Sequence, residues 1–350
     1  MSEKATRDRR ITIVDVAEHA GVSAASVSKV LRKAYGTSDA MRVRVQASMD
    51  ILGYRPHRLA QGMRGRTLTV GMMVSDLENP FFGLLANGLR EVLADAGYQL
   101  LLAPAGTDRG AQHSTIDALI DHRMDALVLV APRSSEHDLE RIAEQVPVVV
   151  VGRHSASARL DSVSADDFAG AGLVVEHLVG LGHRSIAMIA NRQTSDDESL
   201  PETIRLSGFR AAVEAHDLLD RSVVLDGRWS VDGGHAVTER LLHHPAGPTS
   251  VFAGADVVAF GILSELRERD VRVPDTLSVV GYDNSPTSAL GPMSLTTVDQ
   301  SGFAMGSIAG RLLLERIEGR ATARHELIIP TLVPRATTGP PRGTTSGGPA

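Results

Sequence analysis

From Thr67 onward the chain alternates short apolar runs with helical patterns, and this constrains its fold more than any other feature. LTVGMMV, YQLLLA, DALVLVA and PVVVVG are followed by SIAMIA, SVVLD, TSVFAG and LSVVGY. Strand-length runs separated by helix-length gaps read as βαβ units, and hence as parallel sheets covered by helices. Hydrophobic residues make up 43 % of the chain but aromatics only 3 %. The interior must therefore be built from Val, Leu, Ile and Ala, the usual content of such sheets. At 350 residues the chain exceeds one compact unit, so two or three domains are expected. The runs fall into two sets of about four, separated near Asp166 and Asp167, which suggests two similar lobes. LTTVDQ and ELIIPTLV come late, so the chain is expected to cross between lobes more than once.

Residues 11 to 55 read differently. Thr12 is placed to cap a helix from Ile13 to Ala20 with Val16, Ala17 and Ala20 on one face, and Gly21 ends it. Ser23 caps a second helix reaching about Arg32, and Ser38 a third reaching Leu52. Two short helices joined by Gly-Val-Ser are the pattern of a helix-turn-helix, whose second helix presents its first residues to base edges. Those residues are Ala24, Ala25 and Lys29. Met41, Val45, Met49 and Leu52 on one side, with Val22, Val27 and Val30 on the other, supply a small core. Short capped helices occur in many all-α domains, and charge separates the readings. Residues 1 to 66 hold thirteen Lys or Arg against six Asp or Glu, a net of +7 in a chain of net −6. A basic head on an acidic body suits nucleic acid at one end only.

The absence of cysteine excludes a disulfide framework, a thiolate metal site and a thiol nucleophile. No apolar run approaches a membrane span, and MSEKATRDRR is no signal peptide, so a cytoplasmic location is expected. There is no phosphate-binding loop, no HExxH and no dinucleotide fingerprint at Gly106 to Gly110; the thirteen His are scattered. Neither catalysis nor a cofactor is indicated.

Some positions of the body suit ligand chemistry. SDLENPFF follows the first body strand at its C-terminal end, where open α/β sheets bind ligands, and sets Phe81 and Phe82 at a helix start, as core or as pocket wall. Asp283 lies just beyond LSVVGY, either as a loop cap or as an acceptor for hydroxyls. Arg205 is early in a helix, and Trp229, the only tryptophan, lies between Arg228 and Ser230 in a polar turn that favours a half-exposed ring.

Head, hinge and two-lobed body together resemble the lactose/galactose/purine repressor family of bacterial transcription regulators. The resemblance runs from about Thr12 to Val333 and rests on DVAEHAGVS followed by SVSKVL, GYRPHRLAQGM, SDLENPFF, EHLVGLGHRSIAMI, RLSGF, GYDN and LTTVDQ. It implies a helix-turn-helix domain (1–55), a hinge helix and linker (56–66) and a two-lobed periplasmic-binding-protein-like core with parallel sheets (67–337); the tail (338–350), rich in Gly, Pro and Thr without an apolar face, is expected to be disordered. The resemblance places base reading on Ala24, Ala25 and Lys29 and backbone contacts on Thr12, Ser23, Ser28 and Arg42. The hinge helix falls on Pro56 to Met63, with Arg58 at the DNA and Met63 as the minor-groove wedge; Gly62 weakens that helix. Effector contacts fall on Phe81, Phe82, Asp166, Arg205, Trp229 and Asp283, an arrangement suited to a carbohydrate. Relatives commonly have Asn-Asp where this chain has Ala255 and Asp256, so one amide contact is missing. The implied partners are double-stranded operator DNA, a small effector and a second copy of the chain, without a membrane. TTGPPRGTTSGGPA has no heptad pattern, so a dimer is expected rather than a tetramer. The alternative is a cytoplasmic sugar-metabolising α/β enzyme with an appended nucleic-acid module.

Overall fold

The computed structural model describes residues 11–31, 34–55, 66–191 and 197–342. The expected hinge helix, with Arg58, Gly62 and Met63, lies outside them. The chain divides into two compact units between Thr69 and Val70.

The first unit contains three helices, α1 (Ile13–Ala20), α2 (Ala24–Leu31) and α3 (Asp39–Leu52). Each start has a local chemical cause. Thr12 Oγ1 accepts from the Asp15 N–H while Asp15 Oδ2 accepts from the Thr12 N–H at 2.7 Å, a capping box. Ser23 Oγ accepts from Ser26 N–H at 3.1 Å and Ser38 Oγ from Met41 N–H at 3.3 Å. Gly21, at φ 64°, closes α1 in the left-handed region that glycine enters without strain. Val16, Ala17, Ala20, Val27, Val45 and Met49 form the buried centre, with Val22, Val30, Met41 and Leu52 packed around it.

The second unit holds two lobes. In the first lobe, β1 (Thr69–Val74), α4 (Pro80–Asp95), β2 (Gln99–Pro104), α5 (Arg109–Asp121), β3 (Ala126–Val130), α6 (Glu136–Ala143), β4 (Val148–Val151) and β5 (Asp161–Ala165) follow in turn. In the second lobe they are succeeded by α7 (Asp167–Gly180), β6 (Ile186–Ala190), α8 (Pro201–Ala215), β7 (Val223–Asp226), α9 (Val231–Leu242), β8 (Ser250–Phe252), α10 (Asp256–Glu268) and β9 (Ser278–Val280). The last segments are β10 (Thr297–Asp299), α11 (Gly302–Ile317), β11 (His325–Ile328) and β12 (Thr331–Val333). The strand order is β11-β5-β4-β3-β1-β2 in one sheet and β7-β6-β8-β9 in the other. α11 and β11 return to the first lobe, whereas β10 and β12 pair antiparallel beside the second, so the chain passes between lobes more than once. Glycines let paired helices approach closely: a Cβ on Gly261 of α10 would lie 2.0 Å from Val231 O of α9.

Three expectations need correction. The first sheet has six strands rather than about four, because DSVSA forms β5 and His325–Ile328 joins it as β11. Asp161 of β5 is 0 % exposed yet satisfied by Arg316, Arg320 and the Arg324 N–H. ELIIPTLV is two strands in two places, broken near Pro330, which lacks the N–H a ladder needs. The ordered chain also continues past 337: Thr338 Oγ1 pairs with His177 Nε2 at 3.0 Å, and Gly339 N–H donates to Ser278 Oγ at 3.1 Å.

Candidate functional site

On the head, Ser23, Ala25 and Lys29 are exposed, Ser28 is half-buried, and Ala24 is half-buried against the helical core. Lys29 is thus the one long polar side chain among the three positions expected to read bases. Arg42 is exposed at the start of α3; its Nε donates to Thr37 Oγ1 at 3.1 Å, so the guanidinium sits beside the loop between α2 and α3. Thr12 is also exposed, with its hydroxyl engaged in the α1 cap.

In the second unit a cavity of about 640 Å³ opens between the lobes. Phe81 and Phe82 reach it from the start of α4, where Asn79 Oδ1 caps Phe81 N–H at 3.0 Å and Pro80 occupies the first helical position. Their ring centroids are 6.3 Å apart at 59°. Phe81 serves both readings: it belongs to the first-lobe core and it lines the cavity.

From the second lobe come Arg205, Trp229 and Asp283. Arg205 Nε donates to Asp167 Oδ1 at 2.7 Å and Nη1 to Gly254 O at 2.8 Å. Its guanidinium lies 3.6 Å from the centroid of Tyr282 and 4.9 Å from that of Trp229. Burial acts to lower the Arg205 pKa, but Asp167, Tyr282 and Asp283 together outweigh it and keep the group firmly cationic. Trp229 is half-buried, and among the described residues its Nε1–H has no acceptor. Gly254, at φ 77°, lets the ring approach: a Cβ there would lie 2.9 Å from Trp229 Nε1. Asp283 is 3 % exposed and accepts from Gln300 Nε2 at 2.6 Å. Burial pushes its carboxyl well above the ordinary value, and Arg205 offsets only part of that. A carboxyl so placed can donate as well as accept. The site as a whole combines aromatic faces with a fixed fork of donors and a buried acid, which suits a ligand rich in hydroxyls.

Asp166 does not line the cavity; it caps α7 by accepting from Ala169 N–H at 2.9 Å. Its neighbour Asp167 is the carboxylate that reaches Arg205. Ala255 does line the cavity, whereas Asp256 points away from it and accepts from Ser285 N–H, Ser288 Oγ and Thr297 Oγ1.

Residues 12–57 match the family described as bacterial regulatory proteins, lacI family, and residues 175–338 a periplasmic binding protein-like domain. The chain is 32 % identical to the HTH-type transcriptional regulator DegA of Bacillus subtilis, over 95 % of this chain and 99 % of that one. It belongs to the LacI family.

Solved LacI-family structures share the arrangement. The lac repressor dimer bound to operator and the anti-inducer ONPF superposes with TM-score 0.78 at 27 % identity, covering 95 % of this chain and all of that one. The complex of the regulator CelR with cellobiose superposes with TM-score 0.68 at 28 % identity, covering 94 % and 100 %. This chain is accordingly a DNA-binding transcription regulator with a helix-turn-helix head and an effector-binding α/β core. Among the described residues no helix is long and apolar enough to cross a membrane. Residue-by-residue sequence reasoning passed over Asp167, Gln300, Arg133 and Glu202. Gln300 ends the motif LTTVDQ and Asp167 adjoins Asp166, so both had a local signal. Arg133 and Glu202 lie 69 positions apart and had none.

Proposed function

We propose that this chain is a cytoplasmic, homodimeric repressor that reads operator DNA through α2, and whose operator affinity is set by a carbohydrate bound between the lobes. The observation that carries the reading is the Arg205 fork. It is held by Asp167 and Gly254 O between the rings of Tyr282 and Trp229, and it faces Asp283 in the same cavity. Guanidinium and carboxyl groups bond paired hydroxyls while aromatic faces cover the apolar side of a sugar. Relatives support the class: one solved neighbour carries cellobiose, another is a dimer on its operator. One recognition helix per chain favours two copies on a pseudo-palindromic site. Lys29 reads a base through a bond to guanine, while Ser23, Ser28 and Arg42 hold phosphates.

The protein acts by binding and not by turnover, as the transcription regulators it is similar to support. The test is selection of a binding site from random DNA, followed by titration of neutral sugars against the complex. The expected result is a palindromic site whose affinity a sugar changes while the sugar is recovered intact. Chemical conversion of the sugar, or a site indifferent to every sugar, overturns the reading.

A further inference from the structure

Arg133 and Glu202 come from different lobes and meet at the cavity wall. Arg133 follows β3, Glu202 is the second residue of α8, and Nη2 lies 2.6 Å from Oε1 with the side chains 9 % and 5 % exposed. The first-lobe side of the pair is braced. Gln112, 1 % exposed, accepts the Arg133 N–H through Oε1 at 2.9 Å and donates through Nε2 to Gly106 O at 3.0 Å. Arg153 Nη1 donates to Pro132 O at 3.1 Å and lies 2.9 Å from Asp197 Oδ2, a second pair across the lobes. The His154 N–H adds a bond to Ser199 O at 2.9 Å. The loops after β3 and β4 therefore all grip residues 197–202, the stretch that leads into α8.

Stability is a poor explanation for this pair. A buried ion pair offsets its desolvation only with excellent geometry, and here one nitrogen meets one oxygen. Arg133 Nη1 is buried with no acceptor among the described residues. Position explains it better. Glu202 and Arg205 are three apart on one helix face, so a displacement of Glu202 carries Arg205 with it.

We propose that the Arg133–Glu202 ion pair is an interlobe latch that sets the opening angle of the cleft, with Gln112 and Arg153 as positioning residues of Arg133. Its regulatory meaning rests on the carbohydrate-cleft reading, but its mechanics can be measured with no ligand. The chain has no cysteine, so Asp121→Cys on the first lobe and Asp220→Cys on the second, both exposed, take a dye pair for single-molecule energy transfer on the full chain. In this background one short distance should dominate. Glu202→Gln and Arg133→Gln each remove one charge of the buried pair that joins the lobes, and each should raise the open-to-closed ratio about tenfold. The exchanged pair Arg133→Glu with Glu202→Arg should return part of the closed population, which a packing contact would not do. Unchanged distances in both single variants overturn the latch, as does a fall in melting temperature without a change in distance, or an exchanged pair as open as the singles. A working latch in a protein that binds no sugar would sink the carbohydrate reading alone.

Discussion

The Asp167 carboxylate lies 2.7 Å from Arg205 Nε, joining two side chains that are 1 % and 4 % exposed. Asp167 is the first residue of α7 and Arg205 lies in α8, so the pair ties two second-lobe helices together at the cavity wall. Among the described residues, removing the carboxylate leaves the buried guanidinium with Gly254 O, two rings and the buried Asp283 carboxyl. Asp167→Ala should therefore destabilise the second unit by roughly 3–5 kcal/mol in urea unfolding. A loss below about 1 kcal/mol would mean that water or another acceptor replaces Asp167 readily.

Lys29 is exposed in the last turn of α2, whose first two residues, Ala24 and Ala25, offer only apolar contact. Lys29→Ala should cost about 1–3 kcal/mol at one base pair and relax preference there. Arg42→Ala should weaken all sequences alike and lower the salt dependence of binding. Identical site preferences in selections with wild type and Lys29→Ala would refute the assignment.

Asp283 belongs to the cleft and not to the head. Asp283→Ala should abolish the response to the effector while operator affinity in its absence changes little. Calorimetry with the effecting sugar checks this directly, since unchanged affinity in the variant removes Asp283 from the pocket.

His183 sets a pH dependence. It is 1 % exposed and joins Thr249, Ser278 and Gly339 O, pinning the segment after 337 to the second lobe. Burial lowers its pKa from 6.5, and donation to Gly339 O recovers only part. The folded chain keeps the ring neutral where an unfolded chain begins to take up a proton. Its contribution is thus complete above about pH 6.5 and is lost as pH falls toward and through the depressed folded value. The melting temperature should fall from pH 7 to pH 5, and less steeply in His183→Gln, which also starts lower. Equal slopes for both proteins would assign the effect to other groups, of which His177, shifted the same way by burial, is the first to examine.

Sedimentation of the full chain should give a dimer. A stable tetramer at low concentration would contradict the expectation drawn from the absence of heptads in the last residues.

By itself the sequence determined the elements whose causes are local. Thr12, Ser23 and Ser38 start the head helices because a hydroxyl two or three residues before an orphan N–H can satisfy it, whatever else the chain does. The Val-rich runs became strands because continuous apolar segments of that length are stable only between covering helices. The same local logic brought Phe81, Phe82, Arg205, Trp229 and Asp283 into view as ligand candidates. Tertiary structure alone decided what depends on partners remote in the chain. DSVSA is a strand because arginines from α11 and the loop beyond it neutralise Asp161. Asp167 rather than Asp166 meets Arg205, because the turn into α7 spends Asp166 on its own backbone. Arg133 meets Glu202 only because two separate lobes face each other. Charge pairing over such separations leaves no periodicity or spacing in the letters, since it is fixed by where the sheets end in space and not by any step along the chain.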